Sequence, residues 1–250
     1  MKLTEGPVNR YVALASALAV LLVAFTLHAQ TQPGKAEVRA IKGSATYSVA
    51  GKPAELLKVN TILGSGTTIK TGSGSTVDLF LGKSAGSVRI SENTTVALDK
   101  LALTDTGADR VIEVQMNLPE GTVFGDVKKL SPASKYEIKM PSGVAGIRGT
   151  RFRCSSINST PYIVLVDGGP LIFVYVPVGG NPTPFTLVGP GVYFSPADGI
   201  RQAPEELLRE VLSHMGPRFE PPGPPDRVPF KDPFVSPGTG IKPQTPRGPH

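Results

Sequence analysis

The chain has no tryptophan, a single cysteine (Cys154) and three histidines among its 250 residues, and aromatic residues make up only 6% of it. One thiol cannot form an internal disulfide, so the fold has to stand on packing. With so few aromatics that packing must be aliphatic. Of the histidines, His28 sits in an apolar N-terminal run, His250 is the last residue and His214 belongs to a late helical segment. No imidazole is left to act as general base for a serine or cysteine nucleophile. A zinc site fails for want of ligands. What the chain has in excess is glycine (28) and proline (25), about a fifth of all residues against an ordinary share of about 12%. Both interrupt helices, which excludes a long coiled coil or a helical bundle. Only one stretch is apolar enough to span a bilayer, which excludes a polytopic membrane protein.

That stretch is N-terminal. Lys2 and Arg10 precede the uncharged run from Tyr11, and Ala29 places a small residue before Gln30-Thr31-Gln32. The pattern reads as a secretory signal peptide over residues 1–29. The competing reading keeps residues 11–29 as an uncleaved anchor, close to the roughly 20 residues that span a hydrocarbon core. Membrane contact is expected only in that second case. No cysteine lies near residue 30, so a lipoprotein anchor is excluded. Both readings put the rest of the chain outside the cytoplasm, in the periplasm or secreted. The net charge of +6 leaves a mild cationic excess in the central part of the chain, suited to weak attraction toward anionic envelope polymers. It is no nucleic-acid footprint.

From Ala36 to Phe194 short strands alternate with turns. In Ser75–Leu81 the residues Val77, Leu79 and Leu81 alternate with Thr76, Asp78 and Phe80, the period of a strand with one buried face. Ala36–Ile41, Ser44–Val49, Thr67–Thr71, Ser87–Ile90, Thr94–Leu98, Arg110–Met116, Thr122–Val127, Lys135–Met140 and Thr150–Cys154 extend the series. Tyr162–Asp167 and Leu171–Val176 are expected to form a hairpin about Gly168-Gly169-Pro170. About a dozen short strands predict an all-β domain over residues 36–200, a compact roll or sandwich or a short solenoid. Cys154 reads as a small buried hydrophobe in the strand Phe152–Ser155, with a reactive or intermolecular thiol as the alternative. One amphipathic helix is predicted over residues 203–216. Pro204 suits its first position, Glu205 and Glu206 suit its N-terminal dipole, and Leu207, Leu208, Val211 and Leu212 form its apolar stripe. Residues 217–250 contain eleven prolines and read as a disordered, proline-rich tail.

Two motifs imitate chemistry. Gly82-Lys83-Ser84-Ala85-Gly86 matches the G-x-S-x-G elbow, but that motif needs a helix after it, and here a strand follows. Gly82-Lys83-Ser84 also resembles the end of a phosphate-binding loop, but Val77 stands where its first glycine is required. A different segment stands out. Between the strands Lys135–Met140 and Thr150–Cys154, Gly143, Gly146 and Gly149 recur at a spacing of three, with Val144, Arg148 and Thr150 among them. Two readings stay open. The segment is a sharp corner of the sheet, with Arg148 holding it through backbone carbonyls or a carboxylate. Alternatively Gly143, Val144, Gly146, Arg148, Gly149 and Thr150 form a partner-binding surface anchored by Arg148. Lys135, Lys139, Arg151 and Arg153 flank it as a basic patch or as a solvated outer face.

The stretch Tyr136–Phe152 resembles the most recognisable part of the FecR domain, the extracytoplasmic module of ferric-citrate-regulator-like proteins. Gly43–Tyr47 is similar to that family's opening strand, Ile69–Gly72 with Ser75–Leu81 to its glycine hairpin, and Glu120–Val123 to a later strand, so the likeness runs over about Val38–Val176. The resemblance implies an all-β module that binds partners and performs no chemistry. Its signalling members relay a signal through one membrane helix to a cytoplasmic segment that controls a sigma factor. Met1–Arg10 is short for such a segment, so the resemblance carries over the domain without that link. The expectation is therefore an exported, non-enzymatic protein that uses no cofactor and no metal. Its partner is an envelope protein or polymer. A membrane-anchored signalling regulator and a structural surface protein are the alternatives.

Overall fold

A computed structural model describes residues 30–106 and 109–215. The signal-peptide reading of residues 1–29 and the tail reading of residues 217–250 lie outside the described residues. The described residues hold eighteen strands and one helix: β1 Gln30–Pro33, β2 Ala36–Lys42, β3 Ala45–Val49, β4 Glu55–Leu56, β5 Ile62–Leu63, β6 Thr67–Thr71, β7 Thr76–Phe80, β8 Ser87–Ile90, β9 Thr95–Asp105, β10 Arg110–Asp126, β11 Lys135–Met140, β12 Gly143–Ile147, β13 Thr150–Ile157, β14 Thr160–Gly168, β15 Leu171–Tyr175, β16 Thr183–Leu187, β17 Val192–Ser195, β18 Gly199–Gln202 and α1 Glu205–His214. The protein is all-β, as the strand pattern predicts, with more strands than the dozen expected.

The strands form two sheets packed face to face. The first runs β4-β3-β6-β9-β10-β11-β12-β15-β16, with β1 beside the later half of β9. The second runs β5-β2-β7-β8-β10-β13-β14-β17-β18. Following the pairings from any strand never leads back to it, so neither sheet closes into a barrel. From β3 in the first sheet and β2 in the second, strand number rises along both sheets together. Each passage of the chain therefore adds to an advancing edge, in the manner of a short solenoid. β10 joins the two sheets. Its first half pairs with β9 and β11, and from Gly121 onward it pairs with β8 and β13.

One aliphatic core lies between the sheets. Ile69, Val96, Leu98, Met116, Ile138 and Phe173 from the first sheet meet Val38, Val77, Leu79, Ile90, Val123 and Phe152 from the second. Each sits at alternate positions of its strand, which is the period-2 signature in the sequence. Cys154 belongs to this core and is fully buried.

The expected hairpin about Gly168-Gly169-Pro170 does not form. β14 pairs with β13 and β17, while β15 pairs with β12 and β16 in the other sheet. The Thr67–Thr71 and Ser75–Leu81 strands, read as a glycine hairpin, likewise lie in different sheets as β6 and β7. These glycines mark crossovers from one sheet to the other. A turn residue reports that the chain changes direction, and a hairpin and a corner demand the same local chemistry. The corners stack on one another. Gly72 N donates to the Ser44 carbonyl at 3.0 Å and Asn93 N to the Gly72 carbonyl at 3.2 Å. Thr94 N donates to Thr71 Oγ1 at 3.0 Å, and Thr122 N to Thr94 Oγ1 at 3.0 Å. This column explains why Thr71, Ser75 and Thr94 are buried although polar, since each is hydrogen-bonded to a neighbouring corner.

Helix α1 begins one residue after Pro204 and covers the outer face of the second sheet. There Val211 packs with Phe124, Val164 and Val166 in a second small cluster, flanked by Leu207, Leu208 and Met215. Leu212, read as part of the apolar stripe, is instead 44% exposed. Among the described residues no helix is long and apolar enough to cross a membrane.

Candidate interaction site

The glycine-rich segment is a hairpin followed by a corner. β11 turns at Pro141-Ser142 into β12, which pairs with both β11 and β15 in the first sheet. Arg148 and Gly149 then carry the chain across to β13 in the second sheet. The six residues singled out from the sequence divide into two groups. Gly143, Gly149 and Thr150 face inward or against backbone. At Gly143 a β-carbon would run into the Val174 carbonyl and the Phe173 ring. At Gly149 it would lie 2.6 Å from Lys129 Cα. Thr150 is buried, and its carbonyl accepts from Val127 N at 3.1 Å.

Val144, Gly146 and Arg148 face outward. With Ile172 and Val174 of β15 and Lys135 and Glu137 of β11 they line a shallow depression of about 220 Å³ on the first sheet. Gly146 creates it, because a residue without a side chain leaves the middle of the face open. Arg148 is exposed, and its Nη1 donates to the carbonyls of Pro132 and Ser134, both at 3.0 Å. Ser134 in turn is tied to β10, its Oγ accepting from Ile112 N at 3.0 Å. Arg148 thus clips the loop between β10 and β11 to the corner. For an exposed side chain making two hydrogen bonds, Arg148→Ala is expected to lower stability by about 1 kcal/mol in urea denaturation.

Of the two readings of the flanking cations, the basic patch is not assembled. Lys135 and Lys139 lie on the outer face of the first sheet, paired with Glu137 at 3.1 Å and Asp99 at 3.5 Å. Arg151 and Arg153 lie on the outer face of the second sheet beside α1. There Arg151 pairs with Asp167 at 3.1 Å and Arg153 with Glu210 at 3.6 Å. The alternation along β11 and β13 was legible, but not that the corner sends the two strands into opposite sheets.

Behind the site, burial pushes the Cys154 thiol and the Tyr136 phenol well above their ordinary values. A raised value in the folded state means that stability is complete below the unfolded value and falls as pH rises past it. The decline should begin near pH 8.5 for the thiol and about pH 10 for the phenol. Cys154→Ala should flatten the first part of that decline, measured as urea midpoint against pH. The Tyr136 hydroxyl is buried and has no hydrogen-bond partner among the described residues. Tyr136→Phe should therefore raise stability, by about 1 kcal/mol in the same assay.

Fold and site together define an open, two-sheet β module whose most constrained segment is a corner beside a small surface depression. The family model described as FecR protein matches residues 67–169, from the start of β6 to the crossover after β14. Residues 67–169 are thus similar to a FecR domain, the mark of a family of envelope-associated signalling and regulatory proteins. No curated protein and no solved structure matches the chain. The match is narrower than the Val38–Val176 likeness in the sequence, yet β2 to β5 continue the same two sheets.

Proposed function

We propose that this is an exported protein whose FecR domain recognises a protein or polymer partner at the bacterial cell envelope and catalyses no reaction of its own. The observation that carries the reading is the depression over Gly146. Ile172, an apolar residue 41% exposed, stands beside Val144 and Val174, with Lys135, Glu137 and Arg148 at the rim. A small apolar floor with a charged rim suits a partner side chain. Export rests on residues 1–29, with cleavage before Gln30. N-terminal sequencing of the mature protein tests this, since an intact Met1 would favour the anchored regulator.

Gly146→Val fills the depression at a position where a β-carbon meets only the Ile172 carbonyl, at 3.6 Å. The variant should keep its stability and lose any partner that wild type retains from envelope extracts. Equal recovery of that partner by both proteins would remove the depression from the reading.

A further inference from the structure

A second cavity, of about 360 Å³, opens between the β7–β8 turn and the first sheet beside β1. Its floor is apolar: Leu101, Ile112 and Val114 are nearly fully buried there, with Leu81 and Leu103 half-buried above them. The turn that walls it is held in place. Gly86 N donates to the Gly82 carbonyl and Leu81 N to the Gly86 carbonyl, both at 2.9 Å. Gly86 itself packs so closely against the Asp126 carbonyl that no side chain would fit. The space is thus not closed by a simple collapse of the turn.

The mouth has one sign of charge. Lys35, Lys83 and Arg110 line it, and among the described residues no carboxylate does. Arg110 has a long, exposed pairing with Asp105 at 3.7 Å, while Lys35 and Lys83 have no ion-pair partner among the described residues. Lys83 and Ser84 are the residues whose sequence imitates a phosphate loop, yet the floor beneath them is hydrocarbon.

From this arrangement we propose that the cavity binds a small amphiphilic anion, its apolar body on the Leu101–Ile112 floor and its carboxylate or similar head among Lys35, Lys83 and Arg110. The volume falls within the range of small-molecule sites, and few convergent polar groups over an apolar floor is their usual character. The head gains charge-assisted hydrogen bonds at the rim, where Lys35 and Lys83 are exposed and Arg110 holds only its long pairing with Asp105. The apolar floor argues against a wholly polar anion such as inorganic phosphate. This cavity and the depression over Gly146 share no lining residue, so either reading can fail without the other.

Calorimetric titration of the full chain, expressed with its own N-terminal segment and purified without detergent, tests the proposal with decanoate, decan-1-ol and inorganic phosphate. Decanoate should saturate one site, decan-1-ol should bind at least about tenfold more weakly, and phosphate should not bind. The triple change Lys35→Gln, Lys83→Gln and Arg110→Gln alters only exposed side chains. It should leave the melting temperature unchanged and bring decanoate down to the affinity of the alcohol. Leu103→Trp should weaken both ligands by filling the floor. Absence of saturable decanoate binding, equal affinity for acid and alcohol, or an unchanged affinity in the triple variant would overturn the proposal. So would sedimentation with phosphatidylglycerol vesicles in the absence of decanoate binding, which would place the anion recognition at a lipid surface.

Discussion

Replacing Gly149 or Gly143 with alanine is expected to cost about 3 kcal/mol or more, while the same change at Gly146 should be neutral or slightly stabilising. The three glycines look equivalent in sequence and differ in what surrounds them. Gly149 has φ +96°, a conformation that L side chains rarely adopt, and its β-carbon would sit 2.6 Å from Lys129 Cα and 2.9 Å from Lys129 N. Backbone strain and overpacking each contribute on the order of 1–3 kcal/mol. Neither can relax cheaply, because the Gly149 carbonyl also accepts from Gly169 N at 2.9 Å and binds this corner to the next. Gly143 has φ +154° and faces the Val174 carbonyl across the β12–β15 ladder. Gly146 lies in the same ladder with ordinary strand geometry and open space outside it. There alanine reduces the entropy of the unfolded chain at no steric cost. Urea denaturation of the three single variants separates these outcomes. A similar loss at all three would mean that the spacing, and not the surroundings, is what the fold requires.

How much of this was legible follows from what periodicity can report. Val77 and Leu79 alternate with Thr76, Asp78 and Phe80, and both are fully buried. Cys154 and the α1 residues Leu207 and Leu208 also lie where the pattern placed them. Alternation reports which face of a strand is buried and is silent about its partner, so the crossovers at Gly72 and Gly168 read as hairpins. The length of β10 was hidden as well. Pro119-Glu120-Gly121 looks like a break between two strands, yet the strand continues through a register shift and changes sheet. Gly121 has φ +107° there, against Thr94 of the neighbouring corner. The corner at 143–150 was visible because two of its glycines answer to real steric demands. The cavity under Lys83 was not, because its floor comes from strands far apart in the chain.

Asp78 was read as an outward polar residue, and its environment makes it the site of a second large effect. It lies on the outer face of β7, directly across from Arg89 of β8, yet its side chain is only 4% exposed. Arg89 grips it with two hydrogen bonds, Nε to Oδ1 at 2.6 Å and Nη2 to Oδ2 at 2.7 Å. Its third contact is to the end of α1, Nη1 donating to the His214 carbonyl at 3.4 Å. A cation at a helix C-terminus also complements the dipole there. Removing one partner leaves the other charge poorly solvated, which costs about 3 kcal/mol when the survivor is buried. Arg89→Ala should therefore be the worse single change, because it strands the nearly buried carboxylate. Asp78→Ala leaves a guanidinium that is 22% exposed and keeps the His214 carbonyl. Replacing both by leucine should recover most of the loss, since apolar side chains in a covered site can match an ion pair of similar volume. The cycle of Asp78→Ala, Arg89→Ala and the double alanine variant, measured by urea denaturation, should give a coupling of about 2 kcal/mol. Hydrogen exchange adds a readout specific to the helix. If Arg89 helps to dock α1, Arg89→Ala should speed exchange in Glu205–His214 more than in β12, and equal acceleration would confine the pair to holding β7 and β8 together.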